Sequence, residues 1–358
     1  MQDDWALYCK EINKIQLQPN QVLQPKVNGV THENGMFTSS ALARLKFAAV
    51  NDRIEELEER LAKERDVVPS MITTGTVTLV YAPSGAGKTV WILGNLFQSI
   101  RNNLIKGSDV IYFNEDDGAK GVLQKAKMGR KHGMTMITLS NSPDPMLRTT
   151  DDALRLLSQI REEGQADGKI VICDTLKKFA PVLNKGDMRD VLHVFREFAA
   201  AGGTVILLGH CNKHRSMDGR LIYEGVGDLK SDVDNMFGLD PVNDKFAAYQ
   251  ELLVINEKDR SQISFEGGFK YKQTSAVVHY EESVDSVQFM STDDISELKE
   301  KQKAQINMGK AISKYEDEYI LLSSVMKEGK LWAQSELYDL LSDHEVNPNG
   351  CTKKMLRN

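Results

Sequence analysis

Cysteine pairs and long apolar runs are both missing from the sequence. Its four cysteines form no Cys-x-x-Cys pair and stand at Cys9, Cys173, Cys211 and Cys351. This spacing predicts neither a zinc site nor a disulfide framework, and unpaired cysteines agree with a reducing cytoplasm, which is the expected location. No run approaches the roughly 18 apolar residues of a membrane-spanning helix, so no contact with a membrane is expected.

Positive charge is also scarce. Lys and Arg number 45 against 51 Asp and Glu, which gives a net charge of −6 and a pI near 5.8. This balance excludes a protein that binds nucleic acid through a general excess of positive charge, so any such contact must be local. Residues 1–5 contain neither a basic nor an apolar stretch, so a signal peptide is not expected. The length of 358 residues is enough for one large core with appendages.

One glycine-rich stretch, Ala82-Pro83-Ser84-Gly85-Ala86-Gly87-Lys88-Thr89, organises the chain. An apolar run at 77–81 precedes it and a helix-like run at 90–97 follows it. This is the context of a phosphate-binding loop, whose backbone N–H groups surround an anion at a helix N-terminus. Lys88 is expected to reach the β- and γ-phosphates, and the Thr89 hydroxyl to bind Mg²⁺. The residues expected to bind the nucleotide are Pro83, Ser84, Gly85, Ala86, Gly87, Lys88, Thr89 and Val90.

Apolar strands alternate with helical patterns from residue 71 to residue 290. Such alternation predicts an α/β fold with a parallel sheet covered by helices on both faces. The strand-like runs are 76–81, 109–113, 169–173, 204–209 and 252–256, with a later pair at 269–273 and 275–280. The helical runs are 88–103, 119–132, 150–164 and 187–201.

The flanks of this region differ from it in composition. Residues 15–38 are rich in Gln, Pro, Asn and Gly and predict a linker or extended arm, after a short helix at 5–14. Apolar residues at spacings of three and four predict an amphipathic helix over 40–65, ended by Pro69. This helix either packs on its own domain or docks on a neighbouring subunit. Its apolar positions are Phe47, Val50, Ile54, Leu57 and Leu61.

The composition shifts again near residue 291. A charged helix is predicted over 293–313, followed by three short helices at 316–328, 334–343 and 351–358. Their arrangement resembles a helix-turn-helix module, and the alternative is a small helical module for packing or protein docking. We therefore predict an N-terminal arm and helix over 1–69, an ATPase domain over 70–290 and a C-terminal helical module over 291–358.

Two carboxylates stand at the ends of predicted strands. Asp174 ends the apolar run 169–173, where α/β sheets bind ligands, and is expected to support Mg²⁺. The next residue is Thr175 rather than Glu, so a general base must come from elsewhere. Glu115 follows the strand at 109–113, and if that strand lies beside the loop strand its carboxylate would face the attacking water. Asp116 and Asp117 are competitors for this role, and a simple acidic turn is the alternative.

Further polar groups follow the later strands. His210 ends the run 204–209, where it would contact the γ-phosphate or serve only a structural role. Lys258 and Arg260 alternate out of a strand, so both side chains point the same way. Two such cations can neutralise charge on a transferring phosphoryl group, as an arginine finger does, and we expect them to act on a neighbouring subunit's site. The alternative is a solvated strand end.

Together these residues resemble the RecA-like P-loop ATPases, and within them the DnaB-like hexameric replicative helicases, with a layout closest to the compact plasmid RepA-type helicases. The matching positions, within roughly residues 70–280, are 82–89, Glu115, 170–174, His210 (where that branch often has Gln) and 258–260. The resemblance implies a RecA-like core with a mostly parallel sheet, ATP and Mg²⁺ as cofactors, and a hexameric ring of identical subunits. It also implies single-stranded DNA and other replication proteins as partners.

The resemblance further implies that two loops line the central channel of the ring. Cations in these loops suit contact with a DNA backbone without base readout. They are Lys177, Lys178, Lys185, Arg189, Lys213, His214, Arg215, Arg220 and Lys230. Two other functions share the same nucleotide residues: a recombination or annealing ATPase that does not unwind DNA, and a nucleotide-gated DNA-binding or loading factor.

Overall fold

The computed structural model describes residues 50–180, 185–212, 215–216, 220–225, 229–243, 247–261, 265–274, 280–314 and 335–336. Contacts divide the chain into two units, Met1–Glu59 and Arg60–Asn358. The described part of the first unit is a 3-10 turn, Val50–Arg53, and the start of helix α1, Ile54–Leu61. The helix predicted over 40–65 therefore ends at Leu61, because the chain turns there into a strand that begins at Asp66. Residues 40–49 of that helix lie outside the described residues.

The second unit is built on one large sheet. A separate antiparallel pair consists of β1 (Asp66–Val68) and β2 (Ile72–Thr73). The large sheet contains β3 (Val77–Ala82), β4 (Val110–Asn114), β5 (Thr135–Ile137), β6 (Ile170–Asp174), β7 (Thr204–His210), β8 (Asn235–Pro241), β9 (Tyr249–Asp259), β10 (Gly268–Lys272) and β11 (Gln288–Phe289). Their order is β11-β10-β9-β8-β3-β7-β6-β4-β5. The six adjacent strands β8, β3, β7, β6, β4 and β5 are parallel. Beyond β8, the strands β9, β10 and β11 continue the sheet, each antiparallel to its neighbour.

Helices connect the parallel strands. They are α2 (Lys88–Arg101), α3 (Ala119–Lys131), α4 (Thr150–Glu162), α5 (Leu176–Phe179), α6 (Lys185–Ala200) and α7 (Leu229–Asp232), followed by α8 (Tyr280–Asp285) and α9 (Thr292–Lys314). Short 3-10 turns lie at Gly107–Asp109 and Leu139–Asn141. The four predicted helices between strands are confirmed with ends shifted by at most two residues, as is the charged helix over 293–313.

Alternate residues of β3 enter two separate apolar cores. Val80 and Ala82 pack on one face with Trp91 and Phe97 of α2. On the other face, Leu79 belongs to a cluster that includes Leu157 of α4 and the phenylalanines Phe195 and Phe198 of α6. All six residues of β3 are buried, as expected of a strand covered on both faces. The predicted sheet with helices on both faces is confirmed.

Several predicted elements differ from the structure or lie outside the described residues. Of the later strand pair, 269–273 corresponds to β10, whereas residues 275–279 are not described and Tyr280 begins a helix rather than ending a strand. The short helix at 5–14, the arm at 15–38 and the three C-terminal helices lie outside the described residues, apart from 335–336. Helix α9 packs through Ile295 and Leu298 on Leu253 of β9. None of the described helices has both the length and the apolar character that a bilayer span requires.

Candidate nucleotide site

Apart from Lys258 and Arg260, the predicted site residues lie at the carboxyl edge of the parallel strands. Ala82, the last residue of β3, lies opposite His210 of β7. Asp174 of β6 lies in register with Leu208 on one side and with Asn114 of β4 on the other. The residues that follow these strands therefore lie at the same edge of the sheet as the end of β3, which is the edge where α/β sheets bind ligands.

The loop between β3 and α2 takes a conformation that depends on its glycines. Gly85 and Gly87 have φ values of +77° and +88°, and Gly87 is the N-cap of α2. Residues with side chains rarely adopt this left-handed conformation, whereas glycine adopts it at little cost. The first turn of α2 contains no acidic residue, so the positive end of the helix dipole is left for an anion.

Lys88 lies at the start of α2, mostly buried, with 8% of its surface exposed. Burial lowers the pKa of its ammonium, and the nearby carboxylates of Asp174 and Asp116 oppose that shift. No ion pair within 4.0 Å involves Lys88 in the part of the chain that the structure describes. A triphosphate bound at the helix N-terminus would supply the opposite charge.

Tyr271, which sequence reasoning missed, contacts the loop from β10. Its hydroxyl donates to the Ala86 carbonyl at 3.2 Å, and burial raises its pKa to about 12. A Cβ atom built on Gly87 would overlap the Tyr271 ring and hydroxyl, whereas one built on Gly85 meets no atom within 4 Å. Tyr271 follows the loop by more than 180 residues, and no local pattern in the sequence connects the two.

Gly87→Ala is expected to lower the free energy of unfolding by more than Gly85→Ala does. Both variants incur the cost of a left-handed residue, about 1–2 kcal/mol. Only Gly87→Ala also meets the Tyr271 side chain, which adds about 1–3 kcal/mol for overpacking. Denaturant unfolding of the two variants beside the wild type measures the difference. Equal losses would mean that the Tyr271 contact does not constrain the loop.

Asp174 is held by three donors on one carboxylate oxygen. Its Oδ2 accepts from the Thr89 hydroxyl at 3.0 Å, the Tyr112 hydroxyl at 2.6 Å and the Lys125 ammonium at 3.1 Å. Burial alone would raise the pKa of Asp174, but the charge of Lys125 and these hydrogen bonds together hold it below the usual value. The carboxylate is therefore ionised at neutral pH and lies beside the Thr89 hydroxyl, as the sequence predicted.

These two oxygen donors suit Mg²⁺. Carboxylate and hydroxyl oxygens are hard ligands, and Mg²⁺ in nucleotide sites takes few protein ligands and fills its shell with phosphate oxygens and water. Within the described ranges, no group of three or more His, Cys, Asp or Glu is placed to hold a metal. Thr89 and Asp174 would therefore hold the ion together with the nucleotide.

The strand before Glu115 does not lie beside the loop strand. β7 and β6 separate β4 from β3, so these two strands are not neighbours in the sheet. The Glu115 carboxylate is half-buried and accepts from the Leu139 N–H at 2.7 Å. Burial raises its pKa, and this hydrogen bond and the charge of Lys178 only partly offset the shift. Its backbone N–H donates to the Asp174 carbonyl at 2.7 Å, which places Glu115 at the same edge as Asp174.

The two competing aspartates differ in their surroundings. Asp116 Oδ2 lies 3.8 Å from His210 Nε2, and its charge acts on Lys88. Asp117 Oδ2 lies 2.7 Å from the buried Lys125 ammonium. Asp117 is therefore bound in an ion pair, while Glu115 and Asp116 stay as the candidates for a base.

His210 lies between the loop and the acidic turn. Burial lowers the pKa of its imidazole, and the nearby charges of Lys88 and Lys177 add to that shift. The ring is therefore neutral at pH 7, and its Nε2 has no hydrogen-bond partner among the described residues. A polar group with an open nitrogen at this position suits contact with a phosphate or with the water beside it.

Lys258 and Arg260 point the same way, as predicted, but not toward the loop of their own chain. The Lys258 ammonium donates to the carbonyls of Lys230 at 2.6 Å, Val233 at 2.7 Å and Ser231 at 2.9 Å. Arg260 donates to the Ser231 carbonyl at 3.0 Å, with half of its side chain exposed, 50%. Burial lowers the pKa of Lys258, and the charge of Arg260 adds to that shift.

Two of the cations expected to face a channel are paired with carboxylates of the same chain. Arg215 makes two hydrogen bonds to Asp240, at 2.8 and 2.6 Å, and Lys230 pairs with Glu257 at 2.7 Å. Their charges are neutralised within the chain, because each meets a carboxylate that the sequence pattern did not reveal. Lys213 and His214 lie outside the described residues, as does the side chain of Lys185. Arg215 and Lys230 are themselves exposed, as are the other described residues of this set, Lys177, Lys178, Arg189 and Arg220.

A match to a known family model agrees with the nucleotide site. Residues 42–216 match the family model described as an AAA domain. No curated protein matches the chain significantly. Among solved structures, a KaiC-like protein from the hyperthermophilic archaeon Pyrococcus horikoshii is similar at 14% identity and a TM-score of 0.41, over 61% of this chain and 90% of that one. The segment that matches the AAA-domain model contains the glycine-rich loop, Lys88, and the Asp174 carboxylate beside Thr89, and together these support a P-loop nucleotide-binding ATPase domain in this part of the chain.

Proposed function

We propose that the chain is an Mg²⁺-dependent ATP hydrolase that assembles into a ring, with six subunits expected, and moves along single-stranded DNA as a replicative helicase. The observation that carries this proposal is that charged groups lie at both ends of the strands of one sheet. Loop, metal ligands and candidate bases lie at the carboxyl edge, and the pair of cations lies near the other end.

At the carboxyl edge, each group has a distinct role in hydrolysis. The loop N–H groups and Lys88 bind the β- and γ-phosphates. Thr89 and Asp174 hold Mg²⁺, which neutralises phosphate charge when it is bound. Glu115 orients and deprotonates the attacking water, and the neutral His210 contacts the γ-phosphate side of the site. These roles rest on the positions of the side chains at the carboxyl edge of the sheet.

The cations belong to the opposite end of the sheet. Lys258 pairs with Met236 of β8, and Asn235 pairs with Thr78 near the start of β3. Ala82 lies four residues further along β3, which is about 13 Å at 3.3 Å per residue. Arg260 follows the last residue of β9, at the end of the sheet opposite the glycine-rich loop. It would therefore contact the phosphate of a nucleotide bound to another copy of the chain. A head-to-tail interface that repeats around a closed ring would bring these edges together.

Arg260 suits the role of a finger better than Lys258 does. Three carbonyls already occupy the Lys258 ammonium, which has three donors in total. Arg260 has five N–H donors and a half-exposed side chain, and only one of its nitrogens, Nη1, lies near a carboxylate, 3.6 Å from Asp234 Oδ1. Lys258 would then support the segment around Ser231, whose carbonyl Arg260 also contacts.

Exposed cations near the nucleotide site support the contact with DNA. Lys177 and Lys178 lie on α5, directly after Asp174 and Thr175, and Arg189 lies on α6. Such groups bind a phosphate backbone without base readout. The closeness of α5 to Asp174 would couple the strand to the state of the nucleotide.

The proposal predicts that ATP hydrolysis by the full chain rises at least about tenfold when single-stranded DNA is added. The particle mass, measured on the same sample, should match a multimer, and a forked duplex should be unwound with ATP. Strand pairing without unwinding would instead assign a recombination or annealing ATPase. ATP binding with negligible turnover, even with DNA, would assign a nucleotide-gated binding or loading factor.

A further inference from the structure

A buried lysine stands behind the candidate metal site. Lys125 lies on α3 with 5% of its side chain exposed. Its ammonium lies 2.7 Å from Asp117 Oδ2, 3.1 Å from Asp174 Oδ2 and 3.1 Å from Asn114 Oδ1. The ammonium donates hydrogen bonds to Asn114 and Asp174, and its contact with Asp117 is an ion pair. A lysine is rarely buried unless it is paired in this way.

The lysine contacts only one side of the Asp174 carboxylate. Thr89, Tyr112 and Lys125 all donate to Oδ2. In the described part of the chain, no hydrogen bond to Oδ1 is found among those of Asp174. The three donors come from α2, β4 and α3, so three separate elements fix the orientation of one oxygen.

The charges of the cluster also depend on Lys125. Asp117 and Asp174 are both carboxylates, and the ammonium lies within 3.1 Å of an oxygen of each. Without it, two acidic groups would face each other beside a site that also receives a triphosphate. Uncompensated charge in a buried position is strongly unfavourable.

We infer that Lys125 is a positioning residue, which fixes Asp174 through Oδ2 so that Oδ1 stays available to Mg²⁺ and its water, while it balances the charge of Asp117. This inference rests on the proposed Mg²⁺-dependent ATP site. Outer partners of this kind set the orientation of a ligand, and their loss typically costs about 10- to 100-fold in metal affinity or activity.

Lys125→Met tests the inference, because it keeps the length of the side chain and removes the ammonium. Binding of a fluorescent ATP analogue to the full chain is measured with Mg²⁺ and with EDTA. In EDTA, the variant is expected to bind within about threefold of the wild type, because Lys88 and the loop are unchanged. The tightening that Mg²⁺ produces should fall by at least about tenfold.

Lys131→Met is the matched control on the same helix. Lys131 is exposed and pairs with Glu281 at the surface, so the control should keep the full effect of Mg²⁺. A lower melting temperature of Lys125→Met with unchanged Mg²⁺ tightening would mean that Lys125 is merely structural and would overturn the inference. If the wild type itself shows no Mg²⁺ effect, the proposed function fails instead.

A second variant keeps the test decisive if Lys125→Met does not fold. Lys125→Met combined with Asp117→Asn removes one positive and one negative charge together, so the buried charge stays balanced. This double variant should fold but still lose at least about tenfold of the Mg²⁺ tightening, because Asp174 is no longer fixed through Oδ2. Full tightening in the double variant would overturn the inference.

Discussion

Glu115→Gln is expected to bind ATP as the wild type does and to hydrolyse it about 10²- to 10⁴-fold more slowly. The glutamine side chain has the same shape, and its Oε1 still accepts from the Leu139 N–H, as the glutamate does at 2.7 Å. What the variant lacks is a group that can take a proton from water. Nucleotide binding by fluorescence and turnover by phosphate release measure the two effects separately.

Asp116→Asn is the matched control, because Asp116 is the neighbouring carboxylate and lies closer to His210 and Lys88. It should lose less than about tenfold in rate. A large loss in Asp116→Asn with near-normal turnover in Glu115→Gln would transfer the role of base to Asp116. Asp117 is a weaker candidate, since its carboxylate is paired with Lys125.

The pH dependence of the rate tests independently whether Glu115 is the general base. Burial raises the pKa of Glu115 above its usual 4.5, so the carboxyl keeps its proton to a higher pH than an exposed glutamate does. A base must be ionised, and the rate should therefore fall as the pH drops through a value above 4.5. The residual rate of Glu115→Gln should lack this acidic limb.

The second large effect concerns Arg260. Arg260→Ala is expected to lower the ATPase rate by about 10³-fold, the lower end of the range for arginine fingers. Lys88→Ala should be equally inactive, because it removes the phosphate-binding lysine. When the two variants are mixed, a loop from the first and an arginine from the second can share one site. A random 1:1 mixture should regain about a quarter of the wild-type activity if each site lies between adjacent subunits.

Arg196→Ala is the control for this experiment. Arg196 is a half-exposed arginine that lies near Asp232 of α7, the same helix that Arg260 contacts. Its loss should leave the rate of the pure variant near that of the wild type. No regain of activity at any mixing ratio, with subunit exchange verified by mass, would argue against a site shared between copies.

Much of the nucleotide site could be predicted from short-range patterns. The glycine-rich loop stands between a strand and a helix, and Asp174 ends an apolar run, so both follow from local sequence. Their contact through the Thr89 hydroxyl is a consequence of parallel strands that end at one edge. The four connecting helices were predictable for the same reason, since their apolar faces repeat at helical spacing.

What could not be predicted depends on contacts between distant parts of the chain. Strand β8 contains Gly238 and Pro241 and has no clear strand pattern, yet it pairs directly with β3. Lys125 has the sequence surroundings of a surface lysine on a charged helix, and only the approach of β6 makes it a buried partner of Asp174. The ion pair of Arg215 could not be predicted for a similar reason, since its acceptor Asp240 lies on a later strand.

The contact of Tyr271 with the loop has a consequence for how the protein is made. During synthesis, the ribosome completes β3, the loop and α2 long before it reaches β8 and β10, which supply one neighbour of β3 and the tyrosine on Ala86. The segment that matches the AAA-domain model ends at residue 216, before both. A nascent chain of that length would carry the whole phosphate-binding motif and its neighbour β7, but neither β8 nor the Tyr271 hydroxyl that contacts the Ala86 carbonyl.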